Sequence, residues 1–330
     1  MADRKEKKER GTGMKTTVKG FGLTADLLFT LTLRTLFYAV LLVFFLIAGK
    51  IIYSGSAVIS PEFLTGAPAE SLSAGGIGPA IGGTISVVIL MILIAAPLGV
   101  GAAVYLSEYA RNSFWYAVVR ASVNVLASIP PVVLGLFGVS FFILTIGKGL
   151  DSVLETGTLF GQPALLWAAA TLAILVLPII ITTSLDALQS VNDVHRTTAI
   201  ALGATRRQVI RSVVLPQAGS GIITGILLAI SRGIGETAPV LFLGCAFSLP
   251  AIPSAHLTLF GLSVPMVNPF DSFMFLTVHL YTLMTQSANP VAALPAQYGT
   301  MLVLILITVS LNILAVVFRT RFRRITGSSR

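Results

Sequence analysis

Six stretches of this chain are long, apolar and almost free of charged side chains, and they constrain its fold more than any other feature. They run over residues 35–53, 80–106, 121–147, 163–185, 218–241 and 299–318. A helix that crosses the hydrocarbon core of a bilayer needs about 20 mostly apolar residues. Only 11% of the 330 residues are charged, against about 25% in an ordinary soluble domain. The sequence therefore predicts an all-α integral membrane protein with six transmembrane helices.

The positions of the basic residues predict the orientation of the chain, whose net charge is +9. Nearly all Lys and Arg residues fall in segments on one side of the membrane, chiefly 1–34, 186–217 and 319–330. The opposite segments, 54–79, 148–162 and 242–298, hold a single basic residue between them. Lys and Arg near span ends accumulate on the cytoplasmic side. We therefore expect both termini to be cytoplasmic, with basic tails at 1–34 and 319–330, and 54–79 to be a periplasmic loop. The charge reflects topology, not nucleic-acid binding.

Finer expectations follow for the segments outside the spans. Residues 1–20 are polar and mixed in charge, which predicts a solvated, disordered tail. The outer segment 242–298 is rich in proline, and its apolar run 273–284 is too short to span, so it is a candidate for a re-entrant or interfacial segment.

The sequence shows no pattern typical of a nucleotide-binding site or a metal site. Lys50 and Lys148 each follow a glycine, but neither lies in the phosphate-binding loop pattern of ATPases. The three histidines are widely separated, and the single cysteine, Cys245, has no partner for a disulfide. We therefore predict no cofactor, no metal site and no catalytic residue, and the chain is expected not to be an enzyme.

The cytoplasmic segment 186–217 has the pattern of a helical hairpin. A short helix is predicted over 194–202, and Gly203 ends it because glycine tolerates the left-handed conformation. A second helix over 206–214 then leads to Pro216 and the next span. Such a hairpin presents small and apolar residues to a partner, as in helix-in-groove docking. Resting on lipid headgroups is the alternative, since four arginines suit anionic lipid.

A charged pair lies inside the fifth span. Arg232 is about 21 Å along the helix from residue 218, too deep to reach the inner membrane face easily. A central Arg costs about 2.5–3.5 kcal/mol on insertion scales, so it needs a partner or a wet cavity. Glu236 lies one turn on, and Gly233 and Gly235 leave room for close helix packing or for a solute. We expect Arg232 to bind an anion in a transport pathway, with a purely structural ion pair as the alternative.

The hairpin resembles the EAA loop of ABC-importer permeases, which dock on an ATPase. The family's triplet corresponds here to Thr197, Thr198 and Ala199, followed by Gly203 at the family's spacing. Nine residues later comes the sequence ending in Leu215 and Pro216, as in the family's Ile-x-Leu-Pro. The family's Glu is replaced by Thr197. The resemblance implies that these six residues couple the chain to an ATPase.

Four further segments resemble the PstA-type phosphate permeases, and with them the resemblance covers nearly all of 63–324. They are FLTGAPAE with GGIGPAIGGT (63–84), PLGVGAAVYLSEYARN (97–112), SIPPVVLGLFG (128–138) and RGIGETAPVLF (232–242). This chain departs from the family at Asn192, where Pro is usual, and at Pro130–Pro131, where Pro-Ser is commoner.

The resemblance implies a fold and a set of partners. The fold would be a MetI-like permease core of five helices over 80–318, containing the EAA loop at 186–217, plus the additional N-terminal helix at 35–53. The partners would be a PstC-type permease, two PstB-type ATPase subunits, which hydrolyse the ATP, and a PstS-type phosphate-binding protein. The complex would lie in the lipid bilayer of the bacterial inner membrane, and the residue matching Arg232 would be essential for transport.

Two other functions remain open at the level of sequence. A permease for sulfate or molybdate would carry the same EAA loop. A stand-alone ion-coupled anion transporter could use Arg232 and Glu236 as a proton relay, but such proteins usually contain inverted repeats, and none is evident here.

Overall fold

The computed structural model describes residues 21–68, 75–111, 113–155, 157–251, 254–259 and 262–327. The disordered tail predicted for residues 1–20 lies outside the described residues. Within the described residues, six helical segments are long and apolar enough to cross a membrane, and they confirm the predicted number of spans. Their ranges are Asp26–Ser56, Gly78–Tyr109, Pro131–Leu154, Leu165–Gln189, Arg206–Gly235 and Pro290–Phe318.

The helices before the core are α1 (Phe21–Ser56), which begins well before the predicted residue 35, and the short α2 (Pro61–Thr65). Between Phe21 and residue 35 the chain contains no proline and only two charged residues, so nothing stops the helix from extending. Helix α2 starts at a proline and is capped by Ser60, whose hydroxyl accepts from the backbone N–H of Phe63 at 3.1 Å.

The third predicted span, 121–147, is wrong in its boundaries. Helix α3 (Gly78–Glu108) is followed by α4 (Phe114–Ser128), and the chain then breaks at Pro130–Pro131. Proline lacks an N–H and keeps the preceding residue out of the helical region, so α4 cannot continue through this pair. The span instead comprises α5 (Pro131–Gly138), a π-helical segment (Val139–Gly147) and α6 (Lys148–Leu154).

Helix α7 (Leu165–Gln189) lies at the centre of the core and packs along α3. After it come α8 (Asp193–Ala201), α9 (Arg206–Val209), a π-helical segment (Ile210–Val214) and α10 (Leu215–Gly235), which packs against α7. Small residues allow this close approach: a Cβ placed on Gly225 of α10 would overlap the Thr183 hydroxyl of α7.

The segment 242–298, predicted to lie outside, contains both helix and strand. After α11 (Ala238–Phe242), strands β1 (Ser254–Leu259) and β2 (Leu262–Val267) pair antiparallel, with Ser254 opposite Val267. Sequence reasoning did not predict this hairpin. The apolar run forms α12 (Leu276–Thr285), a short helix that is buried along most of its first half. Helix α13 (Pro290–Gly327) contains the last span, Pro290–Phe318. The first N–H of α12 donates to the Thr84 hydroxyl of α3 at 2.9 Å, which ties this segment to the core.

Candidate functional site

The end of α10 positions the intramembrane charges. The predicted span 218–241 is interrupted, because the helix ends at Gly235 and Glu236 adopts an extended backbone with φ −79° and ψ 131°. Helix α11 starts two residues later with a proline in its first turn. The hydroxyl of Thr277 donates to the carbonyl oxygen of Glu236 at 3.0 Å and holds this break in place. Non-helical backbone is stable at membrane depth only inside protein or beside a water-filled cavity.

Arg232 and Glu236 form an ion pair across this helix end. The Nε of Arg232 lies 3.3 Å from Oε1 of Glu236, and the two side chains are 42% and 16% exposed. Among the residues that the structure describes, no protein group accepts a hydrogen bond from either terminal nitrogen of Arg232. The carboxylate therefore engages only one edge of the guanidinium. The other edge, with its paired N–H groups, is open to a further acceptor.

The two glycines predicted for this site have different surroundings. A Cβ on Gly233 would lie 2.6 Å from the sulfur of Met91 on α3, so this glycine permits close helix packing. Gly235 has open space around its Cα. It lines a cavity of about 580 Å³ together with Thr237, Thr277 and Tyr281. Arg232 and Glu236 do not line this cavity, whose remaining walls are apolar.

A second polar contact lies beside Arg232 and was missed by sequence reasoning. The hydroxyl of Ser231 donates to Oδ1 of Asn312 on α13 at 3.0 Å. An Asn inside an apolar span is a signal that could have found it, since polar residues in spans are rare and are usually paired or functional. Thr277 was also missed. It lies 41 residues from Glu236 along the chain, and no local pattern links the two.

The predicted hairpin is present, with its first helix over Asp193–Ala201 and its second arm starting at Arg206, whereas residues 186–189 of the predicted segment still belong to α7. The side chain of Asn192 caps α8 by accepting from the N–H of Val194 at 3.0 Å. Gly203 follows with φ +87°, the left-handed conformation that favours glycine. Thr205 and Gln208 then form a reciprocal capping box at the start of α9.

The residues that match the EAA triplet point in different directions. Thr197 and Thr198 are exposed, and the Thr197 hydroxyl donates to the carbonyl of Val194 in its own helix at 3.0 Å. Ala199 is half-buried and packs inward against a cluster of apolar residues. The outward apolar surface of α8 and its C-cap consists of Val194, Ile200 and Leu202, which are 63%, 56% and 84% exposed.

Leu215 and Pro216 lie where the hairpin joins the span. Leu215 packs against the same apolar cluster as Ala199, and Pro216 is exposed in the first turn of α10. The preceding π-helical segment accommodates the proline, which cannot donate a backbone hydrogen bond. Helix α10 thus connects the hairpin to Arg232, about 25 Å further along its axis at 1.5 Å per residue.

The sequence over 95–326 matches the model of the family described as "Binding-protein-dependent transport system inner membrane component". The chain belongs to this family. It is a multi-pass membrane permease, and its relatives are transport subunits.

Two curated relatives and one solved structure illustrate the likeness. The probable ABC transporter permease protein YqgI of Bacillus subtilis (strain 168) is 30% identical over 259 residues, which cover 78% of this chain and 83% of YqgI. The phosphate transport system permease protein PstA of Xylella fastidiosa (strain 9a5c) is 35% identical over 192 residues, 58% of this chain and 62% of PstA. The match with that permease thus spans less than two thirds of its length.

The solved structure is an inward-facing conformation of the MetNI methionine ABC transporter. It superposes with a TM-score of 0.52 at 16% identity and covers 75% of this chain and 94% of its own. The permease therefore has the predicted MetI-like fold, and the resemblance to PstA-type permeases is confirmed.

Proposed function

We propose that this permease is the membrane subunit of an ATP-driven phosphate importer and lines half of the path with Arg232 as an anion ligand. The observation that carries the proposal is the half-exposed guanidinium at the end of α10, paired at only one edge. The name of the Xylella fastidiosa relative supports phosphate as the substrate.

The chemistry of the pair fits phosphate better than other tetrahedral oxyanions. The open edge of the Arg232 guanidinium can donate two parallel hydrogen bonds to an oxyanion. Phosphate near neutral pH also carries a hydroxyl that donates a hydrogen bond, whereas sulfate and molybdate dianions have acceptors only. Glu236 is a nearby acceptor for such a hydroxyl. A fully deprotonated oxyanion such as sulfate has no proton to donate and would be repelled by this carboxylate. The repulsion therefore favours phosphate over sulfate and molybdate.

The hairpin supports coupling to an ATPase. Val194, Ile200 and Leu202 form an exposed apolar surface on α8, and docking on a soluble partner would bury it as a helix in a groove. Thr197 and Thr198 lie exposed on the same helix, and Gly203 sets the angle to the second arm. ATP hydrolysis would take place on the partner and not on this chain.

The proposed assembly consists of this chain, a homologous PstC-type permease, two PstB-type ATPase subunits and a PstS-type phosphate-binding protein. The family description, which names a binding-protein-dependent system, supports a soluble binding protein as a partner. The bias of basic residues supports an inner-membrane orientation with both termini in the cytoplasm.

The test is uptake by the reconstituted complex in proteoliposomes. We expect ATP-dependent accumulation of radiolabelled phosphate that excess unlabelled phosphate abolishes and excess sulfate or molybdate leaves unchanged. Stronger competition by sulfate or molybdate than by phosphate would reassign the substrate. Uptake driven by an ion gradient without ATP would contradict the importer class.

A further inference from the structure

We propose that Arg196 and Glu108 form a rigid joint that makes the coupling hairpin move as one body with α3. Both are positioning residues for transport, acting through the helices that they connect. The coupling of the hairpin to an ATPase rests on the proposed function, but the rigidity of the joint does not depend on which solute is carried.

One guanidinium holds the ends of three helices together. Nη2 of Arg196, in α8, lies 3.1 Å from Oε1 of Glu108, the last residue of α3. The same guanidinium donates to the carbonyl of Leu188 at 2.7 Å, in the last turn of α7, and to that of Val191 at 2.6 Å. The side chains of Arg196 and Glu108 are only 12% and 8% exposed. This joint therefore fixes α8 against the ends of both α3 and α7.

The second arm of the hairpin reaches the same place. Arg206, the first residue of α9, donates to the backbone carbonyl of Glu108. Its guanidinium also lies 5.0 Å from the ring centroid of Tyr109, a cation–π contact. Both arms are thus anchored at the C-terminal end of α3, so a force on the hairpin acts on this helix.

Electrostatics favour the conformation in which Arg196 contacts Glu108. Glu108 places a largely buried carboxylate at the negative end of the α3 dipole, where a cation would be favoured. Removing Arg196 would leave the largely buried Glu108 carboxylate without the cation that pairs with it. Removing Glu108 would leave Arg196 with the exposed Asp193, whose Oδ1 lies 2.9 Å from its Nη1. The conformation in which Arg196 engages Glu108 is therefore strongly preferred over one in which α8 swings away.

The surroundings of the joint are apolar and tightly packed. Leu106 and Ala110 at the end of α3 belong to one buried cluster with Leu188 in the last turn of α7, Val191 just after it and Val209 in the hairpin. Such a packed core moves as a unit and does not deform continuously. The hairpin and the ends of α3 and α7 are therefore expected to keep their relative positions during the transport cycle.

The joint connects to the proposed anion site through α3. Met91 of α3 is the residue against which Gly233 of α10 packs, one residue from Arg232. Along α3, Met91 and Glu108 are about 25 Å apart at 1.5 Å per residue. A displacement of the hairpin can thus reach the turn that carries Arg232 through α3, in addition to the direct connection through α10.

The test measures whether the hairpin moves with α3. Spin labels at Leu98→Cys on α3 and His195→Cys on α8, both exposed, are introduced with the buried native Cys245 replaced by Ala. Their distance is measured by pulsed electron paramagnetic resonance in the reconstituted complex, without nucleotide and in an ATP-trapped state. We expect the two distances to agree within about 2 Å, below the one-turn shifts of about 5 Å seen when elements slide.

Two variants and a matched control test whether the Arg196–Glu108 pair holds the hairpin against α3. Glu108→Gln removes the charge but keeps the shape. Arg196→Lys keeps the charge but cannot reproduce the separate contacts of the two terminal nitrogens with the carbonyls of Val191 and Leu188. In each, we expect a new population shifted by more than about 5 Å on ATP trapping, and a lower ratio of solute transported to ATP hydrolysed. Arg111→Gln removes the exposed pair with Asp193, whose side chains are 51% and 63% exposed. Asp193 keeps its contact with Arg196 in this variant, so it should behave as the parent.

Three results would contradict either the rigid joint or the proposed substrate. A parent distance that shifts by about 5 Å or more on ATP trapping would show that the hairpin slides on α3. Unchanged distances and transport ratios in Glu108→Gln or Arg196→Lys would show that the pair does not position the hairpin. Failure of phosphate uptake with an invariant parent distance would contradict the proposed substrate while leaving the joint intact.

Discussion

The guanidinium of Arg232 and the carboxylate of Glu236 lie 3.3 Å apart across the point where α10 ends, with only Arg232 inside the helix. Their spacing of four residues suggests a pair on one helix face, but Glu236 reaches Arg232 from an extended segment. The break frees Glu236 from the helix and leaves one edge of the guanidinium without an acceptor in the described part of the chain. A charge pair of this form is suited to bind a third group.

Gly203 should be required for its backbone conformation and not for its small size. Its φ is +87°, and a Cβ there would meet no atom within 4 Å. Gly203→Val should uncouple transport from ATP hydrolysis, because a β-branched residue is strained at positive φ. Gly203→Asn, which tolerates the left-handed region, should retain coupling. The check is ATPase co-purification and transport per ATP for both variants. Equal loss in the two would contradict a conformational role.

Replacing either of two glycines on α10 with alanine should change the stability of the permease, and the two changes should have opposite signs. A Cβ on Gly225 would overlap the Thr183 hydroxyl, so Gly225→Ala should destabilise the permease by about 1–3 kcal/mol through overpacking. Gly219 has no atom within 4 Å of such a Cβ, and Gly219→Ala should stabilise the helix by about 0.5–1 kcal/mol. Thermal unfolding of the purified permease in detergent checks both. A Tm for Gly225→Ala at or above the parent's would show that α7 and α10 pack less closely than described.

Features that depend on a local sequence pattern could be predicted from the sequence alone. Length and hydropathy predicted six spans, and the glycine and proline spacing predicted the hairpin around Gly203. The third span was misplaced because a hydropathy window does not respond to Pro130–Pro131, which break the helix without reducing its apolar character.

Other features depend on contacts between distant parts of the chain. The break at Glu236 is held by Thr277, and the Arg196–Glu108 pair joins residues that are 88 positions apart. No spacing rule in a single sequence links such residues, so their role emerges only when the helices are packed.

The orientation of the chain can be tested with single cysteines. Glu62 lies in the exposed part of α2, and Arg207 is exposed in the hairpin. A membrane-impermeant thiol reagent added outside should label Glu62→Cys and spare Arg207→Cys, in a background where the buried Cys245 is replaced by Ala. Opening the membrane with detergent should make Arg207→Cys reactive and so serves as the control. The reverse pattern in intact cells would overturn the predicted topology.

The anion-binding role of Arg232 predicts a specific pattern in single variants. Arg232→Gln removes the charge and the paired donors but keeps the length of the side chain, so phosphate uptake should be lost. It also leaves Glu236 without its partner, which can lower assembly whatever the role of Arg232. The single variant alone therefore does not separate a ligand from a structural ion pair.

Phosphate uptake by the double variant Arg232→Gln with Glu236→Gln, at matched levels of assembled complex, tests the central claim most directly. The two neutral amides can hydrogen-bond to each other, so a purely structural pair would be replaced without an unpaired charge. If Arg232 binds the anion, the double variant should assemble and hydrolyse ATP but fail to accumulate phosphate. Near-normal phosphate uptake by this variant would contradict the account.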